Sequence, residues 1–280
     1  MTGPVSAVGR TALAVAVCRG LESERDDRWF TDPVGQAILR VRPDAAQRIS
    51  PGLLAWISAR TRFLDELVLA AATGPTQLVI PAAGLDIRAY RLPLPAGSVV
   101  YELDRTDVFA VKRRILSRLS ATPGERSGSA VEPPGRAAPL RPRSVRHEIV
   151  ADLRQPDWPD RLQAAGWDPD RPTVWLVEGL LIYLEHSQRL ELLRTLADLS
   201  APGSVLGVTV NSRPSVPANG LWLPVPEDES PAEWISRTGW SCTEESLAEA
   251  AERFGRPIDP AVARTSSGRL IRGVIDEDPS

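Results

Sequence analysis

The stretch Gln77–Asp104, QLVIPAAGLDIRAYRLPLPAGSVVYELD, decides the reading of this chain. It joins two apolar, β-branched runs, Gln77–Ile80 and Ser98–Tyr101, through a turn of small residues, Ala82-Ala83-Gly84. The second run ends in two carboxylates, Glu102 and Asp104, and Asp104 stands about twenty residues beyond Gly84. In a doubly wound sheet an acid at that distance lies beneath the ribose hydroxyls of a nucleoside cofactor. Strand, tight turn and acid at the next strand end therefore predict a nucleoside site, without saying which nucleoside.

Outward from this segment the pattern repeats. Apolar runs rich in β-branched residues occur at Val99–Leu103, Glu148–Ala151, Thr173–Val177 and Val205–Val210, with Arg269–Ile275 as a closing strand. Near-continuous apolar strands separated by helical stretches predict an α/β fold, a Rossmann-like doubly wound sheet that is mostly parallel and buried on both faces. One helix is expected over Ser187–Leu199, capped by Ser187 and stopped by Pro202-Gly203. Another is expected from Thr243, with Glu244 and Glu245 in its first turn and Gly255 at its end.

Residues 1–72 read as a helical cap preceding a core over 73–280. In the cap, Leu13, Val17 and Leu21 form a stripe at intervals of four, and Phe63, Leu64, Leu67 and Val68 share a face of a helix over Ile57–Leu69. Plain core packing is the ordinary role of such stripes. Two segments are irregular. Residues 121–143, dense in Pro, Gly, Ser and Arg, predict a mobile loop. Residues 212–231, which carry Leu221, Trp222 and Leu223, predict a lid over something apolar.

The 33 Lys and Arg against 36 Asp and Glu leave a net charge of −3, which offers no basic field for nucleic acid or an anionic membrane. The two cysteines, Cys18 and Cys242, are far apart, which excludes a disulfide framework or a cysteine metal site and fits a reducing, cytoplasmic setting. The apolar patch Ala12–Val17 is short and flanked by Arg10, Arg19 and Glu22, unlike a signal peptide or membrane span. A small-molecule partner, no metal, and a monomer or homodimer are the expectations.

Which nucleoside binds is decided by the turn. A dinucleotide needs glycines and a helix N-terminus for its pyrophosphate. Here Ala82-Ala83-Gly84-Leu85-Asp86-Ile87 has one glycine, and Asp86 stands where phosphates would approach. A carboxylate there suits a cofactor with an ammonium or sulfonium group and no phosphate, a description S-adenosylmethionine meets. A nicotinamide-dependent dehydrogenase is disfavoured by the missing glycines.

The residues around the turn carry a more specific signal. Ala83-Gly84-Leu85-Asp86-x-Arg88-Ala89-Tyr90-Arg91-Leu92 resembles the signature of the leucine carboxyl methyltransferase-like family of S-adenosylmethionine-dependent O-methyltransferases. Further motifs follow in order through nearly the whole chain. Upstream are Thr11-Ala12-Leu13, Leu21-Glu22-Ser23-Glu24, Asp32-Pro33 and Ala59-Arg60-Thr61-Arg62-Phe63-Leu64-Asp65. Downstream are Glu102-Leu103-Asp104, Asp152-Leu153-Arg154 with Trp158, Glu178-Gly179-Leu180-Leu181-x-Tyr183-Leu184, and Gly239-Trp240. Each motif alone is weak; the ordered set is strong, and it is most similar to the actinobacterial, polyketide O-methyltransferase branch.

The resemblance implies a class I methyltransferase fold and roles for particular positions. Arg60 would grip the cofactor carboxylate bidentately. Gly84 and Ala82 would let the backbone approach the cofactor, an alanine being tolerated at 82 if its φ is negative. Asp104, with Glu102 as the second candidate, would accept from the ribose. Asp152 and Leu153 would bracket adenine, and Glu178, whose alternative is a helix cap, would favour the cofactor's ammonium. Tyr183 could hydrogen-bond an acceptor oxygen. His186 could serve as a general base or simply begin a helix. No confident base is visible, which favours a carboxylate or an acidic phenol as acceptor. The same feature also leaves open a catalytically silent cofactor-binding protein that supports a partner enzyme.

Overall fold

The computed structural model describes residues 7–120, 140–211, 223, 229–265 and 268–276. Most of the expected loop 121–143 and lid 212–231 therefore lies outside the described residues. The chain opens with helices α1 (Ala7–Ser23) and α2 (Pro33–Val41), a 3-10 turn at Pro43–Arg48, and α3 (Pro51–Ala71). Strands and helices then alternate: β1 (Gln77–Pro81), α4 (Arg88–Arg91), β2 (Val99–Asp104), α5 (Thr106–Ser120), β3 (Val145–Val150), α6 (Trp158–Ala164), β4 (Thr173–Val177), α7 (His186–Asp198) and β5 (Val205–Asn211). The C-terminal part comprises α8 (Pro231–Ser236), β6 (Ser241–Ser246), α9 (Leu247–Arg253), α10 (Pro260–Thr265) and β7 (Gly268–Val274).

The seven strands form one sheet in the order β3-β2-β1-β4-β5-β7-β6. β1 to β5 pair in parallel, and β7 is antiparallel to both β5 and β6. Alternation along the strands builds a core on each face. Leu78 and Ile80 of β1 and Val174 and Leu176 of β4 pack with Ile57, Leu64 and Val68 of α3. Their neighbours Val79, Trp175 and Val177 join Leu162 of α6, Leu193 and Leu196 of α7 and Trp234 of α8 on the other face. The α1–α2 crossing is made by two glycines. A Cβ on Gly20 would stand 2.5 Å from the Gly35 carbonyl carbon, so neither position has room for a side chain.

Three sequence expectations change. β3 starts at Val145, three residues earlier than expected, because its register with Val99 of β2 extends the ladder over the polar Arg146 and His147. The segment Ser241–Ser246 is a strand, not the start of a helix, since it pairs with β7 along its whole length. The helix begins at Leu247, where Ser246 accepts from the Glu249 N–H and Glu249 Oε2 accepts from the Ser246 N–H at 2.7 Å. This is a reciprocal cap that Thr243, with Ser246 three residues on, cannot make. Likewise α7 begins at His186 with Glu185 at its N-cap, and Gln188 Oε1 accepts from the Glu185 N–H at 2.9 Å, which places Ser187 inside the helix.

From β1 the chain winds outward to β2 and β3, then returns across the sheet to β4 and β5. The order reverses between β1 and β4, and the crevice at the carboxyl ends of these strands is where open α/β sheets hold ligands. Among the described residues no helix is long and apolar enough to cross a membrane, and no cluster of His, Cys, Asp and Glu is suited to a metal.

Candidate functional site

A cavity of about 380 Å³ opens at this switch point. Its floor is the turn after β1. Ala83 N–H donates to the Leu103 carbonyl at 3.0 Å, Asp86 N–H donates to the Ala83 carbonyl at 2.9 Å, and Gly84 lies in the left-handed region at φ +55°. Asp104, the last residue of β2, fastens this turn by accepting the Gly84 N–H at 2.7 Å and the Arg105 N–H at 2.7 Å. Burial pushes the Asp104 carboxyl up, against those two amides, and each oxygen, having accepted one amide, keeps further acceptor capacity in a residue that lines the cavity.

Ala82 sits at φ +54°, the one non-glycine residue with positive φ among the described residues. The condition set for an alanine at this position, a negative φ, is not met. The backbone needs the left-handed conformation here, and an alanine holds it at a cost of about 1–2 kcal/mol.

On the β4 side, Glu178 is the meeting point of three arginines. Its Oε1 accepts Arg19 Nη2 of α1 at 2.7 Å and Arg60 Nε of α3 at 3.0 Å, and its Oε2 accepts Arg88 Nη1 at 2.8 Å. All four side chains are buried. Burial alone would raise the Glu178 carboxyl, but Arg19, Arg88 and Arg60 hold it well below the usual carboxylate range. Arg88 also pairs with Asp86 through Nη1 and with Asp65 Oδ1 through Nε at 2.9 Å, and Arg91 Nη2 joins Asp65 at 2.7 Å. Asp86 Oδ1 accepts the Arg88 backbone N–H at 2.7 Å. Gly179, at φ +65°, leaves room for Arg60: a Cβ there would be 3.2 Å from Arg60 Nη1.

The cavity brings together Arg60, Ala82, Gly84, Asp86, Asp104, Asp152, Leu153, Glu178 and Tyr183 from the sequence-derived set. Asp152 is engaged by its own neighbour Arg154, Nε to Oδ1 at 2.9 Å and Nη2 to Oδ2 at 2.6 Å, and this pair lowers its carboxyl to about 2.

Two candidates are not brought there. Glu102 is fully buried beneath the strand end, where its Oε2 accepts Lys112 Nζ and Arg146 Nη2, each at 2.6 Å. His186 lies at the start of α7 with its ring edge-on to Trp234, centroids 6.0 Å apart. Conversely, Arg19 and Gly179 line the cavity, as do Thr11 and Val15, yet the sequence reading gave none of them a role. Thr11, Val15 and Arg19 recur every four residues along α1. That helical stripe carried the signal, but the apolar stripe beside it drew the reading.

A family model described as leucine carboxyl methyltransferase matches residues 12–197. The chain belongs to the leucine carboxyl methyltransferase family. The match runs from the α1 wall of the cavity through the β4 end to α7. Among its relatives, a Parafrankia sp. protein is 38% identical, with the match covering 90% of this chain and 82% of that protein. A Mycolicibacterium gilvum protein is 36% identical, covering 90% and 88%. Both are named as S-adenosyl-L-methionine-dependent methyltransferases. The fold matches the crystal structure of a Thermobifida fusca protein described as a methyltransferase, with a TM-score of 0.57, 18% identity and 94% of each chain covered. It also matches a Streptomyces avermitilis protein of the DUF574 family, with a TM-score of 0.57, 14% identity and coverage of 92% and 96%.

Proposed function

We propose that this methyltransferase, with S-adenosyl-L-methionine as its cofactor, transfers the methyl group to an oxygen of a small natural-product acceptor, a carboxylate or a phenol. The observation that carries the cofactor assignment is Arg60. Its Nε is committed to Glu178, while its two terminal nitrogens have no acceptor among the described residues and line the cavity. A guanidinium presented in that way matches a carboxylate. Further along the cavity, Asp104 can accept ribose hydroxyls with the lone pairs its amide partners leave. Glu178, with three of about four acceptor positions filled, keeps one for an ammonium. Asp152 and Leu153 stand at the far end, where adenine would lie.

When bound, the cofactor supplies a methyl group on a sulfonium that is primed to leave. The protein's part is to align the acceptor oxygen with that methyl and to exclude water. Every carboxylate on the described wall is already engaged: Glu178 by three arginines, Asp86 by Arg88, Asp152 by Arg154, and Asp104 by two amides. No ready general base remains there, which supports an acceptor ionised at neutral pH, as a carboxylate is. Tyr183 lines the same cavity, within which its hydroxyl can hold the acceptor oxygen.

The test is calorimetry with S-adenosylhomocysteine, followed by transfer from methyl-labelled cofactor to a panel of carboxylic acids and phenols. Tight binding lost in Arg60→Ala and Asp104→Ala is expected. So is label in base-labile esters, with stable aryl ethers as the phenol outcome. Undetectable binding by the wild type overturns the cofactor reading. Label on nitrogen or carbon overturns the oxygen reading, and binding without turnover on any acceptor favours a cofactor-binding accessory to another enzyme.

A further inference from the structure

The motif Leu21-Glu22-Ser23-Glu24 has no part in the cavity, yet it ends the helix that forms one wall. Arg19 lies one turn before Glu22 on α1, and Ser23 Oγ donates to the Arg19 carbonyl at 2.6 Å while accepting the Asp32 N–H at 2.7 Å. Glu22 is 1% exposed, and its Oε1 accepts the Trp29 N–H at 2.8 Å. Its other oxygen is taken by a residue from the far end of the chain: Arg256 Nη2 donates to Glu22 Oε2 at 2.7 Å. The same guanidinium donates through Nη1 to the Asp27 carbonyl at 3.2 Å and stacks on the Trp29 ring, 3.6 Å from its centroid. Phe254 meets the Trp29 ring edge-on at 5.3 Å.

A guanidinium that satisfies a buried carboxylate, a carbonyl and an indole face at once fixes all three relative to α9. What it fixes is the end of α1. That helix reaches the cavity through Arg19 on Glu178 and through Ala12, whose Cβ lies 3.8 Å from where a Cβ on Gly84 would stand. We propose that Arg256 is a positioning residue for the cofactor cavity: its clasp on Glu22 and Trp29 holds α1 down, so that Arg19 stays on Glu178 and the cofactor end of the cavity stays closed. The inference rests on the cofactor reading above. The clasp joins a C-terminal loop to an N-terminal helix, so the cofactor site is completed by residues that never touch the ligand.

The experiment is S-adenosylhomocysteine affinity, measured by calorimetry well below each variant's melting temperature, for wild type, Arg256→Ala, Arg19→Ala and the double variant. Arg256→Ala is expected to weaken binding about tenfold, the scale of one lost charge-assisted contact. In the Arg19→Ala background the same change should add less than about twofold, because its effect runs through Arg19. Trp29→Leu, which removes the stacking face and keeps the ion pair, should give an intermediate loss. Amide exchange over residues 11–19 should speed up in Arg256→Ala.

An Arg256→Ala protein that melts earlier but binds with wild-type affinity has a merely structural arginine, and the proposal fails. Additive losses in the double variant also overturn it. If the wild type itself does not bind S-adenosylhomocysteine, the cofactor reading fails and this inference falls with it. Normal wild-type binding with an unaffected Arg256→Ala overturns the clasp alone.

Discussion

Glu178→Gln is the most revealing single change, because three buried arginines converge on that carboxylate. The amide keeps the shape but loses the charge, so Arg19 and Arg60 lose their one carboxylate partner among the described residues, while Arg88 keeps Asp86 and Asp65. Removing one partner from a buried ion pair costs about 3–5 kcal/mol, since the charges left behind stay desolvated and unbalanced. At roughly 2–4 °C per kcal/mol for a chain of this size, the melting temperature should fall by roughly 6–20 °C at pH 7. Adding Arg19→Met to Glu178→Gln should recover part of that loss, which separates charge imbalance from a packing defect.

The pH dependence has a definite sign. The Glu178 carboxyl is held well below its ordinary 4.5 in the folded protein, so on acidification the unfolded chain takes up the proton first. The stability it contributes is therefore complete above about pH 4.5 and is lost as the pH falls toward the folded-state value. In Glu178→Gln that part of the acid destabilisation disappears, and the wild-type and variant melting curves should converge as the pH is lowered. Calorimetric melts from pH 3 to 8 measure both effects. A Glu178→Gln protein that melts within about 2 °C of wild type at pH 7 would refute the reasoning, since a shift that small corresponds to no more than about 1 kcal/mol.

Other expectations follow from single positions. Ala82→Gly relieves a left-handed alanine, so it should melt no earlier than wild type and keep S-adenosylhomocysteine affinity, whereas Ala82→Val, β-branched at φ +54°, should lower both. His186→Ala removes a ring that packs on Trp234 away from the cavity, so methyl transfer and cofactor affinity should stay at wild-type level; a large fall in turnover would make His186 the base after all. Gly20→Ala drives a methyl into the Gly35 backbone and should cost about 1–3 kcal/mol in a denaturant melt.

The sheet was legible because its strands are apolar runs whose length and spacing are local properties. Four of the parallel strands stand within a residue or so of where the sequence puts them. β6 was not legible, because Ser241–Ser246 has no apolar alternation and becomes a strand only by pairing with β7. Glu102 and Asp104 show the same limit at the site. They lie two residues apart and so share a face of β2, and periodicity cannot separate them. What separates them is height along the strand: Asp104 clears the sheet edge and reaches Gly84, while Glu102 ends against Lys112 and Arg146. The arginine convergence on Glu178 was invisible for a different reason. It joins residues 159 and 118 positions apart, and no local pattern marks Arg19 or Arg60 as partners of one carboxylate.

Asp86 shows how a sequence inference can reach a sound result through the wrong physics. Its charge appeared to be what keeps phosphates out of the turn. In the folded protein that charge is balanced by Arg88, so repulsion is a poor explanation. A dinucleotide's pyrophosphate would sit on the amides of the helix that follows β1. Here that helix is α4, four residues long, and the amide of its first residue, Arg88, already donates to Asp86 Oδ1 at 2.7 Å. The carboxylate occupies the phosphate's place instead of repelling it from a distance. With the helix end filled from within, the roles proposed for Arg60 toward a carboxylate, Asp104 toward the ribose and Glu178 toward an ammonium do not depend on the net charge of the turn.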